Sequence, residues 1–595
     1  MNKTEKLICL VLGAVLAWYV FSEMGKSKEA AREAAAAQTN VVARVSTAES
    51  AEATASARTP SGSSADSEVS LAKEKAEKPI VLHDTFVSIS NEQEVVTFAA
   101  NERGVAIKSI TLLGYAQDVG EVSAENPPVT LDFGEHDSRA LVLNGVPQAC
   151  PNGGKVTFEA DSPTSVIYDN GQLARRFLLV GDYRIAVEET FKGVDGIDAP
   201  HRVGLGVMRM GNSKNDLLSV DSWALDAGKG KPGVVHHGDD DSPLKAYLVG
   251  GLSGGCSGSK SAVGMPESTL IDYPGAQTWI AVKNRFFVTA LASCSEPNVG
   301  FSATVARDMN AANYRPESVT AGVCFNSLPK KRTLVFYAGP KKQSFLWDLG
   351  MKDVMEFGMW RWLCYPLVWV LNLFNGWIPN FGVAIIFLTI LVRLLFWPLT
   401  HKSTVGMRKM QELQPLMKEI QAKYKNNPQR LQQETWQLYR EKKVNPMSSC
   451  LPMLIQIPVF IALFNVLRSA VELRYAPFLW IADLSEPEGL FASVLPFGGL
   501  NLLPILMAVT TGLQSAFTPS TGDRNQQRMM MVFMPIIMLV MFYSFPSALS
   551  LYWFLSNLFS IVQMWLIRRE TAKKQEALVP EVIDPPMTRQ MRRHG

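Results

Sequence analysis

From Trp360 to Ile567 the chain is a succession of long apolar runs separated by short polar or basic breaks. Such runs leave few choices of fold. About 20 apolar residues in a helix cross the hydrocarbon core of a bilayer, and in lipid every backbone polar group must be bonded within the protein. Five runs qualify: Trp360–Leu399 (long, with breaks expected near Gly376 and Pro379), Cys450–Leu473, Val494–Phe517, Met529–Phe545 and Ala548–Ile567. A sixth, Leu7–Phe21, follows Lys3 and Lys6. The sequence Ser22-Glu23-Met24-Gly25-Lys26 behind it offers no small-x-small cleavage site, so it reads as an uncleaved anchor.

Charge placement orients these runs. The segment Lys402–Lys443 holds ten Lys or Arg against four Glu, a surplus of +6, and is assigned to the cytoplasm by the positive-inside rule. Pro477–Leu495 carries Asp483, Glu486 and Glu488 with no Lys or Arg, and is assigned outside. Arg524 and Arg528 mark a second cytoplasmic loop; Arg568, Arg569, Lys573 and Lys574 mark a cytoplasmic tail. Both termini are then cytoplasmic. The net charge of +3 over 595 residues is too small to indicate a nucleic-acid partner.

The first half of the chain is different text. Residues 24–78 contain no aromatic side chain and are rich in Ala, Ser, Glu and Thr, so they cannot bury enough apolar surface to offset chain entropy. From Pro79 to Lys342 short runs alternate in polarity. Tyr183, Ile185 and Val187 interleave with Arg184, Ala186 and Glu188, the period of a half-buried strand. Phe86–Ile89, Val105–Leu112, Lys155–Phe158, Trp279–Leu291 and Arg332–Tyr337 read likewise, which predicts an all-β sandwich. Cys150, Cys256, Cys294 and Cys324 fall in this exported region, where disulfides are permitted and three pairings are open, as are free thiols. The organisation expected is therefore an anchor at 1–23, a linker at 24–78, a β-sandwich at 79–342, an interfacial amphipathic helix at 343–358, a five-span core at 359–570 with a cytoplasmic helical hairpin at 402–443, and a tail at 571–595.

Arg393 is the residue that most needs a reason. It lies inside an otherwise apolar span, with Phe396, Trp397 and Pro398 between it and the cytoplasmic end. An Arg at bilayer depth costs about 3 kcal/mol on insertion scales. Helical side chains tilt toward the helix N-terminus, which is outside here, so Arg393 leans inward rather than snorkelling. No acidic residue occurs in the other spans except Glu472 at an outer end. The spans offer Thr389, Gln456, Asn465, Thr510, Gln514, Ser556, Asn557 and Gln563 instead. Interhelical hydrogen bonds are the default role of such residues, but beside an Arg without a carboxylate they also suit a hydrated concavity.

The basic segment has helical periodicity of its own. Met410, Leu413, Met417, Ile420 and Tyr424 are spaced 3, 4, 3 and 4, one stripe on a helix, and Asn426-Asn427-Pro428 breaks the chain before a second helix. The plain role of that stripe is pairing of the two helices. Methionines there and in Met529–Met541 equally suit adaptable hydrophobic recognition.

Several motifs are set aside. Gly251-Leu-Ser-Gly-Gly255 fits the nucleophile-elbow pattern but lies in a Gly/Ser-rich loop with no helix following. Gly228–Gly233 fits a dinucleotide pattern interrupted by Pro232. No Walker A sequence is present, which argues against ATP-driven action, and no cofactor motif is found. His236 and His237, with Asp239–Asp241, read as a solvated loop rather than a metal site. A solute transporter would show paired intramembrane charges or matched repeats. A periplasmic carbohydrate-binding module would leave Arg393 and the hairpin without a role.

Thr389-Ile-Leu-Val-Arg393 with Pro398-Leu399-Thr400, Val444-Asn445-Pro446, Cys450-Leu451-Pro452, Gln456-Ile457-Pro458, Phe545-Pro546-Ser547 and Leu551-Tyr552-Trp553 through Asn557 together resemble the YidC insertase family. The likeness covers about Trp347 to Arg569 and continues more weakly through Tyr337-Ala338-Gly339-Pro340. It implies a non-enzymatic insertase of the Gram-negative inner membrane, working alone or beside the Sec translocon, with no cofactor or metal. The groove of such a protein opens to cytoplasm and lipid and is closed outside. Its expected lining is Arg393, Thr389, Gln456, Asn465, Gln514, Tyr552 and Asn557, with Met410, Met417, Phe460 and Met534 as client contacts. Expected partners are nascent membrane proteins, lipid, the Sec translocon, the ribosome and signal recognition components.

Overall fold

The computed structural model describes residues 84–101, 103–146, 156–193, 197–210, 218–224, 233–237, 268–307, 316–442, 444, 451–491, 499–518 and 524–576. The expected anchor, the linker, residues 577–595, Cys150, Cys256, Gly251–Gly255 and Asp239–Asp241 lie outside these residues. Contacts divide the chain into a β unit that runs to Glu356 and also takes in Ser469–Glu472, and a helical unit that holds Phe357–Arg468 and the residues from Leu473.

The β unit is two nine-stranded antiparallel sheets. One runs Thr85–Ser90, Glu94–Asn101, Gly104–Ala116, Ala140–Asn144, Ile197–Arg209, Pro316–Leu328, Gly300–Arg307 and Ser268–Pro274, with Pro128–Asp132 added beside Gly104–Ala116. The other runs Gly233–His237, Ser219–Ala224, Gln277–Lys283, Phe287–Cys294, Lys331–Pro340, Arg184–Phe191, Leu173–Gly181, Ser165–Asp169 and Thr157–Ser162. The alternation read in the sequence is the cause. In Arg184–Phe191 every second residue is buried, Ile185 and Val187 among them, so one face meets the opposite sheet. Phe98 and Phe177 meet across the gap with ring centroids 4.8 Å apart. The run Trp279–Leu291 is two strands, not one. Asn284 Oδ1 accepts from the backbone N–H of Phe286 (3.1 Å) and Phe287 (2.8 Å), making the side-chain turn typical of Asn.

The same face continues to Glu189, which is buried among cations. Its carboxylate meets Arg175 at 2.8 Å and Arg332 at 2.6 Å, with all three side chains fully buried. Arg175 also donates to the Val105 carbonyl at 2.8 Å, and Arg332 donates to His201 Nε2 at 2.7 Å, so the network ties one sheet to the other. Burial pushes the Glu189 carboxyl up, but Arg332 and Arg175 outweigh it and hold it below the usual carboxylate range. Removing one member of such a network costs about 3–5 kcal/mol, because a buried charge is left unpaired. Cys294 and Cys324 are free thiols, and burial raises Cys294 to about 11.

The segment 343–358, expected as one interfacial helix, is not one. It forms α1 (Gln343–Asp348) and a 3-10 turn (Lys352–Met355), broken at Gly350 and ended by Glu356, both with positive φ. Leu346, Met351, Val354 and Met355 are buried, and Lys283 of the sandwich donates to the Val354 carbonyl at 2.8 Å. This segment closes the β unit.

The helical unit contains α2 (Arg361–Trp377), α3 (Phe381–Glu412), α4 (Gln414–Lys423), α5 (Pro428–Glu441), α6 (Leu451–Ser469), α7 (Leu502–Phe517), α8 (Arg524–Phe542) and α9 (Ser547–Glu576). The long first run is two helices, parted at Ile378–Asn380, where Asn380 Oδ1 accepts from the Val383 N–H at 3.1 Å and starts α3. α2 is amphipathic, with Cys364, Leu367, Val368, Val370 and Leu371 buried and Trp362, Trp369 and Trp377 exposed. Asn427 caps α5 by accepting from the Arg430 N–H at 3.1 Å, and Pro428 fits its first turn, as the Asn-Asn-Pro break predicts. α3 does not stop at the membrane end of its apolar run but continues to Glu412, so the hairpin proper is α4 and α5. Among the described residues, two helices are long and apolar enough to cross a bilayer: Phe381–Glu412 and Ser547–Arg569. Gln456–Ser469, Leu502–Phe517 and Met531–Phe542 are shorter apolar stretches.

One buried group in the sandwich has a measurable consequence. Glu94 has no exposed surface, and neither carboxylate oxygen has a hydrogen-bond partner. Burial raises its carboxyl from 4.5 to about 7. The folded chain thus keeps a proton that the unfolded chain releases, so this group lowers stability as pH climbs from 4.5 to about 7, with no further change above. Glu94→Gln is expected to stabilise the protein by up to about 3 kcal/mol at mildly alkaline pH and to leave it unchanged at acid pH. Denaturant midpoints of both proteins across that range check the sign.

Candidate functional site: a polar recess at Arg393

α3 has 32 residues and is about 48 Å long at 1.5 Å per residue, against about 30 Å of hydrocarbon. Arg393 lies about 18 Å along it from Phe381. Its guanidinium donates to Ser556 Oγ on α9. One turn earlier on α9 is Tyr552, buried, whose hydroxyl accepts from Gln456 Nε2 on α6 at 3.0 Å. Further along the same two helices, Gln563 donates to Thr400 Oγ1 at 2.8 Å. Tyr552, Ser556 and Gln563 are spaced 4 and 7 apart, Arg393 and Thr400 seven apart, so both sets share a helix face. The α3–α9 contact is therefore a polar seam inside an apolar bundle.

Beside the seam is a small, partly open recess, with room for about one ordered water, lined by Val392, Arg393, Phe396, Leu399, Thr400, Gln456 and Val459. Its walls are apolar and its polar groups converge from α3 and α6. Among the described residues no carboxylate pairs with Arg393. A cation bonded to one hydroxyl keeps donors to spare, since guanidinium carries five N–H groups.

The structure brings together three of the expected lining residues: Arg393, Gln456 and Tyr552. Thr389 is elsewhere. It has no exposed surface and its hydroxyl donates to the Ile385 carbonyl of its own helix at 2.7 Å, the local back-bonding open to Ser and Thr. Asn465 is nine residues from Gln456, about half a revolution round α6, so it faces away. Asn557 donates to Thr511 Oγ1 at 2.9 Å and Thr510 Oγ1 at 3.3 Å, fastening α9 to α7. Gln514 is half-buried on α7 and does not line the recess. Ser556, the direct partner of Arg393, is one of the polar span residues read in the sequence but lay outside the seven expected to line the groove.

The expected client contacts also divide. Phe460 packs into a ring cluster, 5.0 Å from Trp553 and 5.9 Å from Phe542 between centroids. Met410, near the end of α3, and Met417, on α4, are half-buried along the stripe with buried Leu413, and α4 packs on α5. Met534 is exposed on α8 beside Phe533 and Ile537.

In the β unit the two histidines lie on the strand Gly233–His237, not in a loop, and point apart. His237 bonds to Ser222 Oγ at 2.8 Å; His236 Nδ1 meets Asp221 at 3.1 Å. Asp221, His236 and Glu356 hold ligand atoms within 4.8 Å of one another. The Lys283 ammonium, however, bonds to Asp221 and meets Glu356 at 3.0 Å, so a protein cation already sits between the two carboxylates. Burial lowers the affinity of Lys283 for its proton, but Asp221 and Glu356 outweigh it and raise the ammonium above its ordinary range.

Two family profiles match consecutive stretches: the YidC periplasmic domain over residues 266–370, and the 60Kd inner membrane protein over residues 373–575. The membrane protein insertase YidC of Syntrophobacter fumaroxidans is 42% identical over 313 residues, 51% of this chain and 56% of that protein. The one from Prosthecochloris aestuarii is 36% identical over 373 residues, 60% of this chain and 63% of that protein. The matches thus span somewhat over half the length of these relatives. A crystal structure of an active YidC insertase aligns over 81% of this chain and 94% of that one at 19% identity, with a TM-score of 0.33, too low to bear on the recess. With both profiles matched in order and relatives this similar, the chain belongs to the YidC family of inner-membrane proteins with a periplasmic domain.

Proposed function

We propose that the chain is a membrane-protein insertase and chaperone, which passes hydrophobic segments of newly made proteins into the inner membrane without chemistry of its own. The observation that carries this reading is Arg393: a cation in an apolar helix, bonded to a serine, at the edge of a recess. The names of the relatives point the same way. In this reading α3, α6, α7, α8 and α9 cross the bilayer, with the run at 7–21 as the sixth span and both termini cytoplasmic. α2 lies along the outer surface, its exposed tryptophans at the interface where aromatic residues collect. The basic hairpin of α4 and α5 faces the cytoplasm. Nascent clients and lipid are the primary partners; the Sec translocon, the ribosome and signal recognition components are further ones.

The mechanism is transient charge acceptance. A client with a short acidic outer segment must carry carboxylates partway across a medium of low dielectric. Arg393 offers them a charge-assisted, bidentate partner. Water in the recess screens that attraction so that the client is released. Transfer of the client's span into lipid, at about 25 cal/mol per Å² of apolar surface, supplies the driving force.

Two outcomes are expected. In a background without native thiols, Gln456→Cys should react with a water-soluble thiol reagent added from the cytoplasmic side, and Thr389→Cys should not. Equal protection at both positions would remove the hydrated recess. In proteoliposomes, Arg393→Lys should retain much of the insertion activity. Arg393→Ala should fail with acidic clients and spare neutral ones. Equal impairment of both client types by Ala would assign Arg393 to the folding of the bundle rather than to charge acceptance.

A further inference from the structure

In the described part of the connection from α6 to α7, Asp483 and Glu488 turn to backbone donors, while Leu479, Trp480 and Phe491 are exposed. Asp483 is buried and accepts from the backbone N–H of Tyr475 at 3.0 Å and Ser485 at 2.7 Å. Glu488 caps α7, accepting from the N–H of Leu502 at 2.9 Å and Leu503 at 2.6 Å, and takes Trp480 Nε1–H at 3.1 Å. Leu479 is 76% exposed and Phe491 68%. Both hold left-handed backbone, φ 53° and 58°, as does Tyr475 at 57°.

Phe478 and Ile481 exchange both backbone hydrogen bonds, at 2.9 Å each, which makes Leu479–Trp480 the tip of a two-residue turn. The first tip position of such a turn, at positive φ, suits Gly or Asn. The turn is fixed at its base. The Phe478 ring lies against Gly382 in the first turn of α3, where an added Cβ would come within 2.1 Å of the ring carbons. Asn380, the cap of α3, donates to the Pro477 carbonyl at 3.3 Å. The tip therefore sits at the same end of α3 as the exposed Trp377 and Ile378, and continues their apolar edge.

We infer that this loop is a lipid anchor: Leu479, Trp480 and Phe491 seat in the headgroup–acyl boundary of the outer leaflet and set the depth at which α3 holds Arg393. The inference rests on the membrane-spanning reading of the helices. Lipid is the fitting occupant because the surface is apolar, its acidic groups are satisfied internally, and it prolongs an edge of exposed tryptophan, the residue of membrane interfaces. With the tip at the outer boundary, Arg393 lies about 20 Å below it along α3, counting 13 residues from Asn380. That is past the middle of a slab about 30 Å thick.

The test uses nitroxide labels on single cysteines at 479 and 491, in the full chain freed of its seven native cysteines and reconstituted in phosphatidylethanolamine/phosphatidylglycerol vesicles. Val540, 75% exposed on α8, serves as the lipid control and Gln433, exposed on α5, as the water control. Collision with oxygen should exceed collision with a water-soluble nickel chelate at 479 and 491, as at 540. Nickel access at both loop sites equal to that at 433, with 540 still lipid-embedded, overturns the anchor and leaves the spanning helices standing. Nickel access at 540 as well overturns the reading beneath both. Should labelling at the tip unfold the chain, Trp480→Phe replaces it: a smaller share of tryptophan fluorescence quenched by shallow brominated lipid supports the anchor, and an unchanged share overturns it.

Discussion

Placing one guanidinium inside an apolar helix constrains everything near it. A charge in hydrocarbon is tolerated only with an opposite charge, with water, or with enough oriented dipoles. The described residues supply Arg393 with no carboxylate but with Ser556, and around it a seam of Tyr552, Gln456, Thr400 and Gln563. A seam of neutral groups is the weaker solution for holding a charge, and that weakness is informative. An ion pair would satisfy Arg393 permanently, whereas one hydroxyl leaves most of its donors available, as the proposed charge acceptance requires. The seam also locks α9 against α3, so the same bonds that tolerate the cation hold the two longest helices together.

The β unit handles buried charge in the other way. Glu189 is enclosed by Arg175 and Arg332, and Lys283 by Asp221, Glu356 and the Val354 carbonyl. In the first cluster all three side chains are fully buried, and in the second Lys283 and Asp221 are buried while Glu356 is half-exposed. The clusters join strands of different sheets, or the sandwich to the segment that follows it, and are structural by that geometry. The counter-charges around Glu189 and Lys283 distinguish them from Arg393, beside which the described residues place none.

Much of the architecture was legible because it follows from period and length. Alternation in Arg184–Phe191 required a two-faced strand, and the Asn427-Pro428 break required a helix start. Arg393 stood out because charge and depth are both properties of sequence. What failed were statements about facing. Thr389 shares a stripe with Arg393, yet packing of the first half of α3 covers it. Asn465 and Asn557 carry the same amide chemistry as Gln456, and only the azimuth of their helices and the neighbour opposite decide between recess and clamp. The segment 343–358 looked amphipathic because its apolar residues are buried, but they are buried by the sandwich through Lys283 and Glu356, residues 73 positions apart. No local pattern carries that information.

Depth is the quantity that connects the two ends of the helical unit. In the proposed spanning arrangement, a helix of 32 residues can slide along the bilayer normal, since its apolar stretch and its polar extension grade into one another. An Arg held by neutral groups gains from sliding toward the cytoplasm, where headgroups would solvate it. Something must oppose that drift at the outer end of α3. Backbone hydrogen bonds within the bundle fix the helices relative to each other but not relative to lipid, so the opposing force has to act between protein and membrane. Apolar side chains fixed on a rigid, left-handed backbone do this better than flexible ones. With lipid at the tip as inferred above, the Phe478–Gly382 contact would pass the load to the first turn of the helix that carries Arg393.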